Sequence, residues 1–286
     1  MIAPYLFVLP AFLIVFVFVV IAALNTFRLA FTDSTLLRPG KFVGFENFIE
    51  LFHDDYFLTA LLNSSVYVIC VVPCMVILPL ILANLVRGNG KIMGFFRTAF
   101  YMPVVMSAVV VGMIWTNLLD SHGLINSLLQ SMHIIKKSIP FLTDRWLLLF
   151  SSMFVTIWLG LGYYMVIYLT ALANIDESLY EAASLDGAGP IRKFVSVTMP
   201  GVRSTMILIM MLSTIAAFRV FNEVYVLTNG TAGPGGMDMT MSMLIKQEGT
   251  GIQARTGYAS AISLVVLVIV GTLLVIQQII QKRTEE

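Results

Sequence analysis

"SLYEAASLDGAGPIRKFVSVTMPGV" runs from Ser178 to Val202, between two long apolar stretches. It gathers most of the charge of its neighbourhood. The portion Ile175–Gly187, "IDESLYEAASLDG", has the composition of a helix. Asp176 or Ser178 can cap its start, and acidic residues there suit the positive end of the helix dipole. Gly187 then ends it, because glycine takes the left-handed conformation at a helix terminus without strain. "GPIRKFVSVTMP" restarts: Pro190 fits a first helical turn, and Ile191, Phe194, Val195 and Val197 offer an apolar stripe before Pro200 closes the segment. The stretch predicts helix, sharp turn, helix at a membrane surface. It is either an elbow that anchors two spans or a compact knob that a soluble partner grips.

The rest of the chain supplies the membrane. Of 286 residues, 58% are hydrophobic and 12% charged, against about 25% charged in a soluble domain. The apolar surface must therefore face something other than water. A net charge of +1 gives no field for nucleic acid. Cys70 and Cys74 lie four apart inside an apolar run and read as two small core side chains rather than a disulfide framework or a metal pair.

A bilayer core takes about 20 apolar residues in a helix. Six stretches qualify, at about 4–28, 57–86, 99–119, 146–173, 204–227 and 258–281. The fold class is thus all-α and polytopic, one transmembrane domain over 1–286. The first run has no charge from Met1 to Phe27 and lacks the basic start of a signal peptide, so it reads as a retained helix. Pro73, Pro79 and Pro103 fall in or beside spans, where neighbouring helices can re-satisfy the freed carbonyls. With both termini cytoplasmic, short inner segments hold eight Lys/Arg against seven outside. That margin barely decides, but the Arg87–Arg97 loop and the "QKRTEE" tail are densely basic, while the loop from Phe31 to Tyr56 carries five acids against two cations. The three histidines fall in the outer loops and form no constellation. Asp120–Met132 has the spacing of a short amphipathic helix at the outer interface. Thr228–Thr240 reads as a flexible Gly-rich loop, and it does not continue as a P-loop.

Intramembrane polar groups mark a transport path. The fourth span contains "WLGLGYYM", Trp158–Met165. Gly160 and Gly162 allow a close approach, and Tyr163 and Tyr164 offer a flat face with a hydroxyl, suited to a sugar. The fifth contains Ser213, Thr214, Arg219, Asn222 and Glu223. Arg219 and Glu223, four apart, share one face of the fifth helix, and two charges there should face the pore or the permease partner rather than lipid, paired with each other or across the interface. Ordinary helix packing is the competing reading for the glycines and tyrosines, and for Arg219 and Glu223.

Glu181-Ala182-Ala183, three residues, Gly187, nine residues, then Val197-Thr198-Met199-Pro200 resembles the EAA motif of binding-protein-dependent ABC importer permeases. Every spacing matches; Val197 and Met199 are conservative departures. "FVGFENFIELF" (Phe42–Phe52), "FFRTAFYMPVVMSAVVVGMIW" (Phe95–Trp115) and "FNEVYVLTNG" (Phe221–Gly230) look like the carbohydrate-type permeases, on the side of the maltose MalF subunit. The resemblance implies the type I importer permease fold, in a bacterial or archaeal cytoplasmic membrane. It implies a second homologous permease, two ATPase subunits and an external solute-binding protein as partners. ATP and Mg would bind the ATPase, and this chain would need no cofactor. The loop at about 174–203, with Glu181, Ala182, Ala183, Asp186, Gly187 and Pro200, would be the helix seated in the ATPase, Glu181 pairing with a cation there. Gly160, Tyr163, Ser213, Ala217, Val220 and Asn222 align with positions lining the maltose permease's sugar site, several with different side chains. With no large outer insertion, binding-protein docking would rest on the smaller outer loops. Two competing functions are an ion-gradient-driven transporter, which leaves the EAA loop without a role, and a membrane enzyme, for which the spans hold no H-E-x-x-H and no acidic dyad. The solute itself is not legible.

Overall fold

The segment Asp55–Leu85 contains no charged residue after Asp55 and two prolines. In the computed structural model, which describes residues 3–88 and 90–285, it forms one unbroken helix. Asp54 caps its start, accepting from the Tyr56 amide at 2.9 Å. Pro73 and Pro79 lie inside it. Near Pro79, the Tyr168 hydroxyl donates to the Val76 carbonyl at 2.9 Å. A neighbouring helix thus supports the backbone where proline loosens it.

The described chain is helical, with one isolated bridge between Thr32 and Phe42. In order come α1 (Ala3–Val15), a wide π turn, α2 (Ala22–Leu29), α3 (Glu46–Leu51), α4 (Asp55–Leu85), α5 (Lys91–Tyr101), α6 (Ala108–Leu119) and α7 (Leu124–Ser131). Then follow α8 (Arg145–Leu172), α9 (Glu177–Leu185), α10 (Pro190–Lys193), α11 (Met199–Gly201), α12 (Arg203–Phe218), α13 (Asn222–Leu227), α14 (Met241–Gly249) and α15 (Thr256–Glu285). Among the described residues, six stretches are long and apolar enough to cross a membrane: Phe7–Leu29, Asp55–Leu85, Ala108–Ser131, Arg145–Leu172, Arg203–Leu227 and Thr256–Lys282. The core forms where α4 packs on α8 and α12, with α15 against α12, α14 and α2. Tyr67, Met165, Tyr168 and Ile209 are fully buried there. Phe7 to Ile21 is exposed along its whole length.

Two expected spans are not single helices. The run at 99–119 is split: α5 tightens into a 3₁₀ turn over Met102–Val105, and Met106 and Ser107 are extended, with ψ of 148° and 130°. Pro103, which cannot donate to the preceding turn, sits at this break. The run at 204–227 is split as well. α12 ends at Phe218, α13 begins at Asn222, and Phe221 between them is non-helical (φ −139°, ψ −57°). Thr240 donates its hydroxyl to the Val220 carbonyl at 3.1 Å, so the opened backbone is satisfied by protein, as non-helical structure at membrane depth requires.

The loops gather at two ends. At one, the Arg87 guanidinium lies over the Tyr180 ring, 4.7 Å from its centroid, joining the loop between spans two and three to the loop between four and five. At the other, Arg255 pairs with Glu50 at 2.6 Å and Tyr258 donates to Asp54 at 2.6 Å. The helix expected within Asp120–Met132 is α7. The loop Thr228–Thr240, which composition reads as flexible, is pinned instead. Asn63 donates to the carbonyls of Met237 and Met239 at 2.7 and 2.9 Å, Met241 donates to Ser64 at 3.0 Å, and Ala232, Asp238, Met239 and Thr240 are buried.

Candidate functional site

The knob between spans four and five is built from local rules. Asp176 accepts from the Ser178 amide at 2.9 Å and caps α9. That amide holds the Asp176 carboxyl below its ordinary pKa. α9 ends in a Schellman arrangement: Ala188 donates to the Ala183 carbonyl at 2.9 Å and Gly187 to Ser184 at 3.0 Å. Gly187 has a φ of +72°, the left-handed region where only glycine is free of a Cβ penalty. α10 starts on Pro190 and passes through a π turn, Phe194–Thr198, into α11. Pro200 does not close the segment as the sequence reading has it. It lies within α11, and the chain turns two residues later at Val202 (φ −110°, ψ 16°).

Two contacts hold the knob together. The Tyr180 hydroxyl meets the Thr198 hydroxyl at 3.0 Å, and Thr198 is buried. Ile175 is buried too, and its side chain fills the space beside Gly201. Lys193 ties the two arms, donating to Ser184 at 2.6 Å. The outward face is left open. Glu181, Ala182, Asp186, Gly187 and Pro200 are exposed and Ala183 is half-buried. Leu185 and Ile191 beside them are 89% and 81% exposed. An apolar pair so exposed and rimmed by charge is the pattern of a contact surface. Sequence reading placed Ile191 in a stripe with Phe194 and passed over Leu185. It also passed over Arg87 and Tyr180, which nothing in the motif spacing joins.

The residues proposed for the solute path divide. Tyr163, Arg219 and Asn222 are exposed, and Gly160 and Glu223 are half-buried. Tyr164, Ser213, Ala217 and Val220 are buried within the subunit. Ser213 donates to its own helix, to the Met210 carbonyl at 3.1 Å. Tyr163 and Tyr164 do not present one flat face: their rings are perpendicular, with centroids 5.2 Å apart. Gly160 faces the end of the Met75 side chain, and Gly162 faces the backbone of Phe100 and Tyr101. Arg219 and Glu223 do not share a helical face, since α12 has ended before Glu223. Among the described residues no ion pair joins them. Each sits at a helix end that suits its charge, Arg219 at the C-cap of α12 and Glu223 in the first turn of α13.

Residues 52–286 match the family described as the binding-protein-dependent transport system inner membrane component. The chain is 36% identical over 272 residues to the probable ABC transporter permease protein YurN of Bacillus subtilis, covering 94% of this chain and 92% of that one. It is 32% identical over 276 residues to the lactose transport system permease protein LacF of Rhizobium radiobacter, covering 96% and 92%. The arabinooligosaccharides permease AraP of Bacillus subtilis is 29% identical over 275 residues, covering 94% and 85%. A chain of a crystallised bacterial ABC transporter involved in alginate import has the same fold, with a TM-score of 0.80 at 21% identity, covering 99% and 96%. A chain of the alginate transporter in complex with its pentasaccharide-bound periplasmic protein gives 0.85 at 22% identity, covering 99% and 94%.

Proposed function

The chain belongs to the family of binding-protein-dependent transport system inner membrane components, and on that premise we propose that it forms half of the pore of an ATP-driven importer for a carbohydrate-type solute. It is a multi-pass membrane component of a transport system, not a catalytic subunit. The whole of 1–286 acts as one transmembrane domain beside a second, homologous permease. Two ATPase subunits bind ATP and Mg beneath the pair, and an external solute-binding protein delivers the cargo. Both termini lie in the cytoplasm, at the end of the molecule that carries α9 and the basic Arg87–Arg97 loop. The lactose and arabinooligosaccharide permeases among its relatives support the solute class.

The observation that carries the reading is the exposed knob at about 174–203. Its helix is capped by Asp176 and stopped by a left-handed Gly187, and it leaves Glu181, Leu185 and Ile191 facing outward. Such a surface seats in a groove of the ATPase, with Glu181 pairing with a cation and Ala182 and Ala183 permitting close approach. Tyr163, Arg219 and Asn222 border the solute path. The test is uptake into proteoliposomes holding this chain, its partner permease, the ATPase and the binding protein, with a panel of labelled mono-, di- and oligosaccharides. Uptake of one carbohydrate that needs ATP hydrolysis is expected. Uptake driven by an imposed ion gradient without ATP overturns the reading. Glu181→Lys is expected to leave the permease pair assembled and to abolish most uptake and substrate-stimulated ATP hydrolysis.

A further inference from the structure

The knob touches the rest of the subunit through a residue outside its own segment. Arg87 follows the last residues of α4, in the loop that leads to α5. Its guanidinium carbon lies 4.7 Å from the centroid of the Tyr180 ring, on α9. The loop under it is fixed from both sides. The Val86 amide continues α4 by donating to Leu82 at 3.0 Å. From α5, Arg97 donates to the carbonyls of Val86, Arg87 and Gly88 at 2.9, 3.0 and 2.8 Å. The backbone of Arg87 therefore moves with α4 and α5 together. Tyr180 is fixed as well, through Thr198 at 3.0 Å, so its ring moves with the knob as a whole.

Between the two lies an open cavity of about 510 Å³, lined by Arg87, Gly88, Glu177, Tyr180, Glu181 and Ser184. We propose that Arg87 is a positioning residue for energy coupling: stacked on Tyr180, it ties α9 to the second and third spans, so that a displacement of the knob is passed to α4 and α5. The proposal rests on α9 being the element that the ATPase moves. Glu177 and Glu181, one turn apart on α9, line the same cavity, and neither is tied to the guanidinium by an ion pair among the described residues. A flat guanidinium stacks on a ring as well as carrying charge, and lysine keeps only the charge.

The experiment uses the complete complex in proteoliposomes: both permeases, the ATPase and the binding protein. Solute moved per ATP hydrolysed is measured together with the ATPase retained through purification. Arg87→Ala is expected to keep its ATPase and to hydrolyse ATP, but to move about two- to fivefold less solute per ATP, the range of a cation–π contact at a partly exposed site. Arg87→Lys is expected to fall between it and the natural residue. Tyr180→Leu is expected to match Arg87→Ala, with the double variant no worse than either single one, as two ends of one contact behave. Tyr180→Phe, which keeps the ring but loses the bond to Thr198 that fixes it, is expected to fall between Tyr180→Leu and the natural residue. An unchanged ratio in both Arg87→Ala and Tyr180→Leu overturns the proposal. Loss of the ATPase from Arg87→Ala also overturns it, because Arg87 then serves docking. If Glu181→Lys leaves ATPase retention and uptake normal, the reading of α9 itself fails, a result separable from any outcome at Arg87.

Discussion

Gly162 of α8 stands against the Phe100 carbonyl so closely that a Cβ on it would collide with backbone, and the Tyr101 α carbon closes the same space. Gly160, one half-turn earlier, faces only the end of the flexible Met75 side chain. Neighbours that cannot yield make overpacking costly, and a methionine end yields easily. Gly162→Ala is expected to destabilise the subunit by about 1–3 kcal/mol and Gly160→Ala by clearly less. Thermal unfolding of the two variants in the same detergent measures the order. An equal loss would mean that the α5–α8 contact is looser than it stands here.

Gly187 poses the opposite case. A Cβ there would meet nothing within 4 Å, yet φ is +72°. Any cost is backbone strain alone, about 1–2 kcal/mol for an ordinary L-residue in this region. Asparagine tolerates the conformation and a β-branched residue resists it. Uptake is therefore expected to fall in the order Gly187→Asn, Gly187→Ala, Gly187→Val, with asparagine near the natural rate. If alanine and asparagine behave alike and both lose uptake, the absence of a side chain matters rather than the dihedral.

Asp238 gives the outer loop a pH dependence. Its carboxyl is buried, and neither oxygen has a hydrogen-bond partner among the described residues. Burial pushes its pKa from 3.8 up to about 7, with Arg145 opposing and Asp144 reinforcing. The folded protein then keeps a proton that the unfolded chain releases above about pH 3.8. The stability linked to it is full below that value and is lost as pH rises to about 7. Glu248, also raised by burial, acts in the same direction. Asp238→Asn is expected to gain about 1–3 kcal/mol at pH 8, because it removes a buried charge that has no partner among the described residues. It should narrow the gap between melting at pH 5 and pH 8. An unchanged gap would assign the effect to Glu248 or to neither.

What the sequence disclosed follows from the range of the forces involved. The run of α4 and the cap, stop and restart of the knob are local: Asp54, Asp176, Gly187 and Pro190 act on their own neighbours, so their types and spacing suffice. The breaks in spans three and five are not local in that sense. Pro103 stands before the first break and Arg219 at the second, but around both the run stays apolar enough to read as one span. What opens the second helix is satisfied from a distance, by Thr240 reaching the Val220 carbonyl. The pinning of the Gly-rich loop likewise depends on Asn63, more than 170 positions away in sequence. The solute path was the least legible part. Whether Ser213 or Tyr164 faces a pore or the subunit's own core depends on how α12 and α8 are turned against α4, and helical spacing alone leaves that rotation open.

The charges of span five show the same lesson in a form that can be measured. A continuous helix would stack Glu223 one turn above Arg219, and removing either would strand the other. The structure ends α12 at Phe218 and restarts at Asn222, so each charge answers to a helix terminus instead of to its neighbour. Arg219 complements the carbonyl end of α12, and Glu223 the amide end of α13. Two residues serving different helix ends, with no ion pair between them among the described residues, should contribute independently. Arg219→Ala and Glu223→Ala are each expected to weaken the subunit by about 0.3–1 kcal/mol, the range of a charge at a helix end. Their sum should match the double variant within about 0.5 kcal/mol. A double-mutant cycle on thermal unfolding, repeated on uptake by the full complex, measures the coupling. A coupling beyond that margin would mean that the two side chains meet across the break when the transporter turns over.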